Sequence, residues 1–150
     1  MSRLAPRYWQ MPGHLIRRLH QLSTQVFLQQ VGAAGFNLTP VQFAALDALA
    51  DRPGIDQARL AEAIAKDRAT IGAVVDRLQQ KGLLHRVVSG RDKRARDLCL
   101  SEEGERVVAE LRPLVIALQA DILPGLTKAE IAQFIQLAAK ASRLAPELLD

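Results

Sequence analysis

The stretch SGRDKRARD, residues 89–97, concentrates basic side chains in a short segment. Its four cations are Arg91, Lys93, Arg94 and Arg96. The apolar stretches on either side, LLHRVV and LCLS, are typical of β-strands, so the cations are expected at the tip of a hairpin. Core packing has no need of cations there. Arginine and lysine on a narrow projection are instead suited to the phosphates and the minor groove of DNA.

Asp92 is an unexpected residue in this segment, because DNA repels a carboxylate. It stands two residues before Arg94, near enough to hold that guanidinium extended through a bidentate ion pair. The sequence therefore predicts that Arg94 contacts DNA and that Asp92 positions it.

A second group of chemically useful side chains lies in YWQMPGHLIRRLHQ, residues 8–21. Helical spacing puts His14 and Arg18 on one face. A cation, an imidazole and aromatic rings suit a flat carboxylate, since arginine forks onto the carboxylate and the rings stack on the ligand. The predicted ligand site consists of Tyr8, Trp9, His14, Arg18 and Gln21. The alternative is that these are ordinary solvated residues at the start of a helix.

Six helices and one hairpin are predicted to position these groups. Apolar periodicity and end signals predict helices from residue 12 to about 31, within 38–51, within 56–65, within 66–82, from 101 to about 123 and from 127 to about 144. Strands are predicted near 84–88 and 97–100. The expected N-caps are Thr39, Asp56, Asp67, Ser101 and Thr127, and Gly82 is expected to end the fourth helix. An apolar content of 49% with only 4% aromatic residues also favours a helical protein.

The fourth predicted helix has one apolar side and one small, polar side. At 100° per residue, the apolar stripe comprises Ile71, Val74, Val75 and Leu78. Small residues on the other side allow a helix to come close to something, as a helix in the major groove of DNA must. The residues of this helix predicted to contact DNA are Arg68, Ala69, Thr70, Ala73 and Arg77. The alternative is an ordinary solvated helix.

Charge is unevenly distributed along the chain. Residues 59–96 contain ten basic and four acidic side chains, a net charge of +6, which leaves −2 for the remainder of a chain whose total is +4. A basic block on a nearly neutral frame is typical of a protein that binds the phosphate backbone. A solvated surface is the plainer interpretation of such a block.

Several functional classes are disfavoured by the residues. Three histidines and the single Cys99 form no metal-binding spacing, and no phosphate-binding loop or catalytic triad stands out, so neither an enzyme nor a cofactor is expected. One cysteine excludes an internal disulfide framework. The absence of a long apolar run or a signal pattern predicts a cytoplasmic protein without a membrane span.

Three motifs resemble the MarR family of bacterial regulators. They are LTPVQFAALDALA, then LAEAIAKDRATIGAVVDRLQQKGLLHR, then DKRARDLCLSEEG, and together they cover about residues 38–110. The resemblance implies a mainly α, winged helix-turn-helix fold with about six helices and a two-stranded hairpin wing. One MarR-type chain would span residues 1–150. Its DNA-binding lobe would be 38–100, and residues 12–34 and 102–146 would form dimerisation helices.

The resemblance also implies a function. It implies a homodimeric repressor that binds an inverted repeat, with Arg94 in the minor groove and bases read by the fourth helix. PGHLIRRLHQ is similar to the first helix of repressors of aromatic-acid breakdown, nicotinate breakdown in particular, so a small aromatic carboxylate is the expected effector. Two alternatives are a thiol-sensing regulator acting through Cys99, which lies beside basic residues in the sequence, and a non-specific DNA-binding protein.

Overall fold

In a computed structural model of the chain, residues 7–64, 67–90 and 96–144 are described, Arg68 by its backbone only. The helices are α1 Pro12–Ala33, α2 Pro40–Asp51, α3 Gln57–Ala63, α4 Arg68–Gln80, α5 Glu102–Ile122 and α6 Lys128–Ala141. The strands are β1 Leu84–Val88 and β2 Arg96–Leu100, which pair antiparallel. A short 3-10 turn, Tyr8–Gln10, precedes α1. This is the order of a winged helix-turn-helix protein, and the predicted fold is confirmed.

Besides α5, which begins after Ser101, four helices begin with a side-chain cap where the sequence predicts one. Each cap oxygen accepts a hydrogen bond from a backbone N–H that the helix itself leaves without a partner. The capping residues are Thr39 for α2, Asp56 for α3, Asp67 for α4 and Thr127 for α6. At the other end of α4, Gly82 has a φ of 73°, a left-handed conformation that glycine adopts without strain.

The core of the first compact unit, which ends at Leu118, is built from one apolar face of each element. Its fully buried side chains include Leu46, Leu49, Leu60, Ile71, Leu78, Leu98 and Leu111. Phe27 of α1 adds a ring contact with Phe43 of α2, with centroids 6.2 Å apart. Since α2, α3, α4 and β2 all contribute, α4 is held with a fixed side outward.

The hairpin is joined to the helices at its base. Leu98 donates its N–H to Ile55 O at 2.9 Å and accepts from Gly54 N at 3.0 Å, so β2 is bonded to the turn between α2 and α3. Arg96 pairs with Val88 and therefore lies on the strand, one residue earlier than the predicted start of β2. The tip, residues 91–95, is outside the described residues.

A tight junction joins the end of α4 to the start of α5. The Ser101 hydroxyl donates to Gly82 O at 2.6 Å and accepts from Gly104 N at 3.0 Å, which confirms the predicted cap. The Ser101 N–H donates to Leu83 O at 3.0 Å. Gly104 packs against the same carbonyl so closely that a Cβ there would lie 2.0 Å from Leu83 O. Only glycine fits this approach.

The second compact unit begins at Gln119 and contains the end of α5 and all of α6. Thr127 and Glu130 form a reciprocal capping box at the start of α6. Two large apolar side chains of α6, Ile135 and Leu137, are exposed. None of the helices in the described ranges combines the length and the apolar character that a bilayer crossing requires.

Candidate DNA-binding surface and ligand site

Helix α4 has its apolar stripe turned inward as predicted. Ile71, Val75 and Leu78 are fully buried, and Val74 is half-buried. The opposite side is exposed and carries Ala69, Thr70, Ala73, Arg77 and Gln80. With one long cation among small side chains, this surface can approach a flat or grooved partner closely.

The exposed side of α4 forms one wall of an open groove of about 450 Å³. The groove is lined by Gln42, Thr70, Ala73, Val74, Asp76, Arg77 and Gln80. Gln42 comes from α2, and the sequence did not predict that it lies in this groove. No sequence signal marks it as a groove residue, because its place beside α4 follows from the packing of two helices.

The cap of α4 involves a residue predicted to contact DNA. Asp67 Oδ1 accepts the backbone N–H of Thr70 at 2.8 Å, and the Thr70 hydroxyl donates to Asp67 Oδ2 at 2.7 Å. These hydrogen bonds from Thr70 lower the pKa of the Asp67 carboxyl. Because the hydroxyl proton of Thr70 is used in the cap, its lone pairs and its methyl group are what it offers to a base edge.

Two basic residues of the 59–96 window point into the protein. Lys81 Nζ donates to Asn37 O and lies 3.4 Å from Gln42 Oε1. Burial, and then the charge of Arg77, lowers the pKa of Lys81. Arg86 is the second, with its guanidinium bonded to side chains of α4. The cationic surface available to DNA is therefore smaller than the residue count indicates.

Of the four wing cations that the sequence predicts to contact DNA, the structure describes one. Arg96 is exposed on β2. The side chain of Arg68 and the tip residues Arg91, Asp92, Lys93 and Arg94 lie outside the described residues. Their DNA contacts, and the pairing of Asp92 with Arg94, remain predictions.

Three of the five predicted ligand-site residues lie in or beside the turn that precedes α1. The ring of Tyr8 lies against His14, with centroids 4.6 Å apart. Trp9 has the Arg7 guanidinium over its ring at 5.2 Å. Both aromatic side chains remain 56% exposed, so their faces are accessible to a ligand.

The remaining predicted residues, Arg18 and Gln21, are exposed on α1. The described residues bring Arg17 to Tyr8 instead: its guanidinium donates to the Tyr8 hydroxyl and lies 5.8 Å from the ring centroid. Sequence reasoning missed Arg17. Which of the two adjacent arginines contacts Tyr8 depends on how the Tyr8–Gln10 turn folds back on α1. Residue spacing alone does not show this.

Cys99 is half-buried opposite His85 in the hairpin, whereas its neighbour Leu98 is fully buried. It lines a cavity of about 320 Å³ between β2, α2 and α5. Across the same region, Arg112 of α5 donates to Asp47 Oδ1 at 2.6 Å and to Asp51 Oδ1 at 3.1 Å. The pKa of Arg112 is raised by its hydrogen bond to Asp47. Within the described ranges, no group of three or more histidine, cysteine or acidic residues is arranged to hold a metal.

Known protein sequences resemble this chain over most of its length. The sequence model of the MarR family matches residues 36–95. The transcriptional regulator HosA of Escherichia coli O157:H7 is 33% identical over 127 residues, which is 85% of this chain and 91% of HosA.

Solved structures match along nearly the whole chain. PcaV, a transcriptional regulator of Streptomyces coelicolor solved with its natural ligand, has a TM-score of 0.84 and 34% identity, covering 94% of this chain and 98% of PcaV. BpsR of Bordetella bronchiseptica, whose DNA binding is regulated by 6-hydroxynicotinic acid, has a TM-score of 0.86 and 28% identity, covering 95% of this chain and 100% of BpsR.

Proposed function

This chain belongs to the MarR family of transcriptional regulators, and on that premise we propose that it is a sequence-specific repressor released from its operator by an aromatic carboxylate. The exposed side of α4 carries the proposal. It is small and polar with one long cation, Arg77, and the cap and the buried stripe hold it outward. These are the properties of a helix that enters the major groove.

The residues of α4 suit different parts of a DNA site. Arg77 is long enough to form a forked pair with guanine, whereas Ala73 and the Thr70 methyl group suit a thymine methyl. The wing beside α4 supplies Arg96 and, by prediction, the tip cations. Their target would be the adjacent minor groove and backbone.

Selection from a random duplex library tests sequence-specific binding. We expect enrichment of an inverted repeat, with half-site centres about one helical turn apart, ~10 base pairs. Enrichment of a single half-site without its repeat would contradict the dimeric arrangement. Recovery of random sequences would contradict specificity.

Unpartnered apolar side chains on the outer helices support a homodimer. On α1, Leu15, Ile16, Leu22 and Leu28 are each at least 45% exposed, and on α6 Leu137 is 59% exposed. A second copy of the chain would remove these surfaces from water.

Sedimentation equilibrium at micromolar concentration should therefore give twice the chain mass of 16.5 kDa, about 33 kDa. Replacing exposed Leu22 and Ile16 with glutamate should shift the equilibrium to monomers, because each charge would be buried in the interface. Replacing the exposed Val87 of β1 is the matched control and should leave the dimer intact. A stable wild-type monomer would contradict the two-half-site arrangement.

The start of α1 is the proposed effector site. The Tyr8 and His14 rings are already in contact, and a flat ligand could stack beside them with its carboxylate on a nearby guanidinium. BpsR, which responds to 6-hydroxynicotinic acid, shares the fold along 95% of this chain. We therefore place a hydroxylated nicotinate or benzoate first among candidate effectors.

Release of DNA requires that the effector bind the DNA-free geometry more tightly than the DNA-bound one. Only this difference in affinity can shift the equilibrium. A coupling of ~1–3 kcal/mol, roughly 5–150-fold in operator affinity, is the usual scale. By fixing α1 against the winged lobe, the effector would set a spacing of the two α4 helices that does not fit the operator.

Arg18→Ala should abolish the effector response while leaving operator binding close to normal, because the carboxylate loses its ion pair and α1 lies outside the basic window. His14→Ala should weaken the response less, since it removes one hydrogen bond and a ring contact. Fluorescence anisotropy of a labelled operator, with and without each acid, measures both quantities. Trp9 fluorescence reports effector binding directly.

Arg52→Ala, at an exposed arginine that ends α2, is the matched control and should respond like the wild type. Arg17→Ala decides between the adjacent arginines. A normal response in Arg18→Ala with a lost response in Arg17→Ala would move the carboxylate site to Arg17. If no aromatic acid affects the wild type, the effector proposal fails and the DNA-binding proposal stands.

A further inference from the structure

Arg86 is a charged residue on the inner face of the wing. It pairs with Leu98 across the hairpin, and strand alternation puts it on the same face as Leu84. Both leucines are buried, and the Arg86 side chain is 27% exposed. A guanidinium in this position requires partners within the protein.

The partners of Arg86 lie on α4. Its Nη1 donates to Gln79 Oε1 at 2.5 Å, and its Nη2 donates to Asp76 Oδ1 at 2.5 Å. Asp76 and Gln79 are three residues apart and therefore adjacent on one side of the helix. One guanidinium thus bonds the strand of the wing to two neighbouring positions on α4.

A third element joins this contact. Arg86 Nη2 lies 3.5 Å from Oε1 of Gln57, the first residue of α3. Gln57 reaches this position by packing on Gly72 of α4, where a Cβ would lie 3.3 Å from Gln57 Nε2. Gly72 therefore leaves room for the side chain that connects α3 to the same cation.

We propose that Arg86 is a positioning residue for DNA recognition, acting through the bridge that it forms to Asp76 and Gln79, hereafter the Arg86 bridge. This rests on the proposed function. The bridge sets the angle between the wing and α4, so that the helix fits the major groove when the wing reaches the adjacent minor groove. A rigid angle lowers the cost of ordering both contacts on DNA.

Removing the charge of Asp76 should change DNA affinity in opposite directions under the two explanations, positioning and electrostatic attraction. Asp76 is 61% exposed and lines the groove beside Arg77. A carboxylate there repels phosphates, so attraction alone predicts that Asp76→Asn binds DNA more tightly. Positioning predicts weaker operator binding, because the neutral amide oxygen of asparagine lacks the ion pair with Arg86 and holds the guanidinium less strongly.

The experiment compares Arg86→Met, Asp76→Asn and the double variant on the selected operator and on a scrambled duplex, across a salt titration. Arg86→Met keeps the unbranched apolar stem and removes the guanidinium. We expect about a tenfold loss of operator affinity in each single variant, the size of an ordinary coupling between contacting residues. The double variant should bind the operator at least as tightly as the single variant with the lower affinity, because both substitutions break the same contact. Scrambled-duplex affinity should change less than about threefold, and the salt slope of operator binding should stay constant.

Three results would overturn the proposal. Equal losses on both duplexes, with a salt slope reduced by about one, would make Arg86 a phosphate contact. Unchanged operator affinity in folded variants would leave the bridge a structural contact only. Tighter operator binding by Asp76→Asn would show that charge outweighs geometry.

Two controls keep the test decisive. Arg52→Met, far from the bridge in sequence and exposed, should match the wild type on both duplexes. If Arg86→Met fails to fold, Asp76→Asn gives the same comparison from an exposed position. A wild-type protein that binds both duplexes equally would instead refute the proposed function, and the bridge would then have no role in recognition.

Discussion

Arg94→Ala is expected to weaken operator binding by ~1–3 kcal/mol, the cost of losing one good base-edge or groove contact. The expectation rests on the sequence, where Arg94 is one of the basic residues between β1 and β2. Anisotropy titrations against the selected operator at fixed salt give the free energy directly. Arg52→Ala, outside the predicted surface, should change it by no more than the error of the measurement.

Asp92→Ala adds the more discriminating result. It removes a negative charge from the segment that we propose to bind DNA, so attraction alone predicts tighter binding. If Asp92 holds Arg94 in place, the variant binds more weakly, though less so than Arg94→Ala, because the guanidinium is still present. Tighter binding by Asp92→Ala would refute the positioning role while leaving the role of Arg94 intact.

Gly104→Ala is expected to cause the largest loss of stability among these substitutions. An alanine Cβ would lie 2.0 Å from the backbone oxygen of Leu83, and a backbone carbonyl cannot rotate away as a flexible side chain can. Either α5 moves or the end of α4 and β1 move. We expect a loss of about 3 kcal/mol, at the upper end of the usual cost of overpacking.

Thermal unfolding at equal protein concentration measures this effect, and the melting temperature should fall by about 10 °C for a chain of this size. Gly32→Ala is the matched control. It lies within α1 with no atom near its Cβ position, so alanine should be neutral or slightly stabilising there. A Gly104→Ala variant as stable as Gly32→Ala would show that the junction adjusts freely.

Local signals in the sequence predicted most of the framework. Each N-cap is a short-range hydrogen bond between residues three apart, so Thr39, Asp56, Asp67 and Thr127 could be recognised without any tertiary structure. The buried stripe of α4 follows from helical periodicity in the same way. Once the buried stripe of α4 is known, the residues on the opposite side of the helix must face outward.

Contacts between residues far apart in the chain could not be predicted from these local signals. Lys81 and Arg86 appear in the sequence as part of a basic block, yet both point to partners at least seven residues away. Their direction depends on how α4 packs against α2 and β1. The proximity of Gln42 to the groove and the contact of Arg17 with Tyr8 have the same origin.

Sequence-specific DNA binding by this protein is measured by the ratio of operator affinity to scrambled-duplex affinity. Both duplexes should be of equal length, titrated with wild-type protein at one physiological salt concentration, where phosphate contacts contribute equally. A sequence-specific regulator predicts an operator affinity at least ~10³-fold higher. Equal affinities on the two duplexes would contradict it and identify a protein that binds the DNA backbone alone.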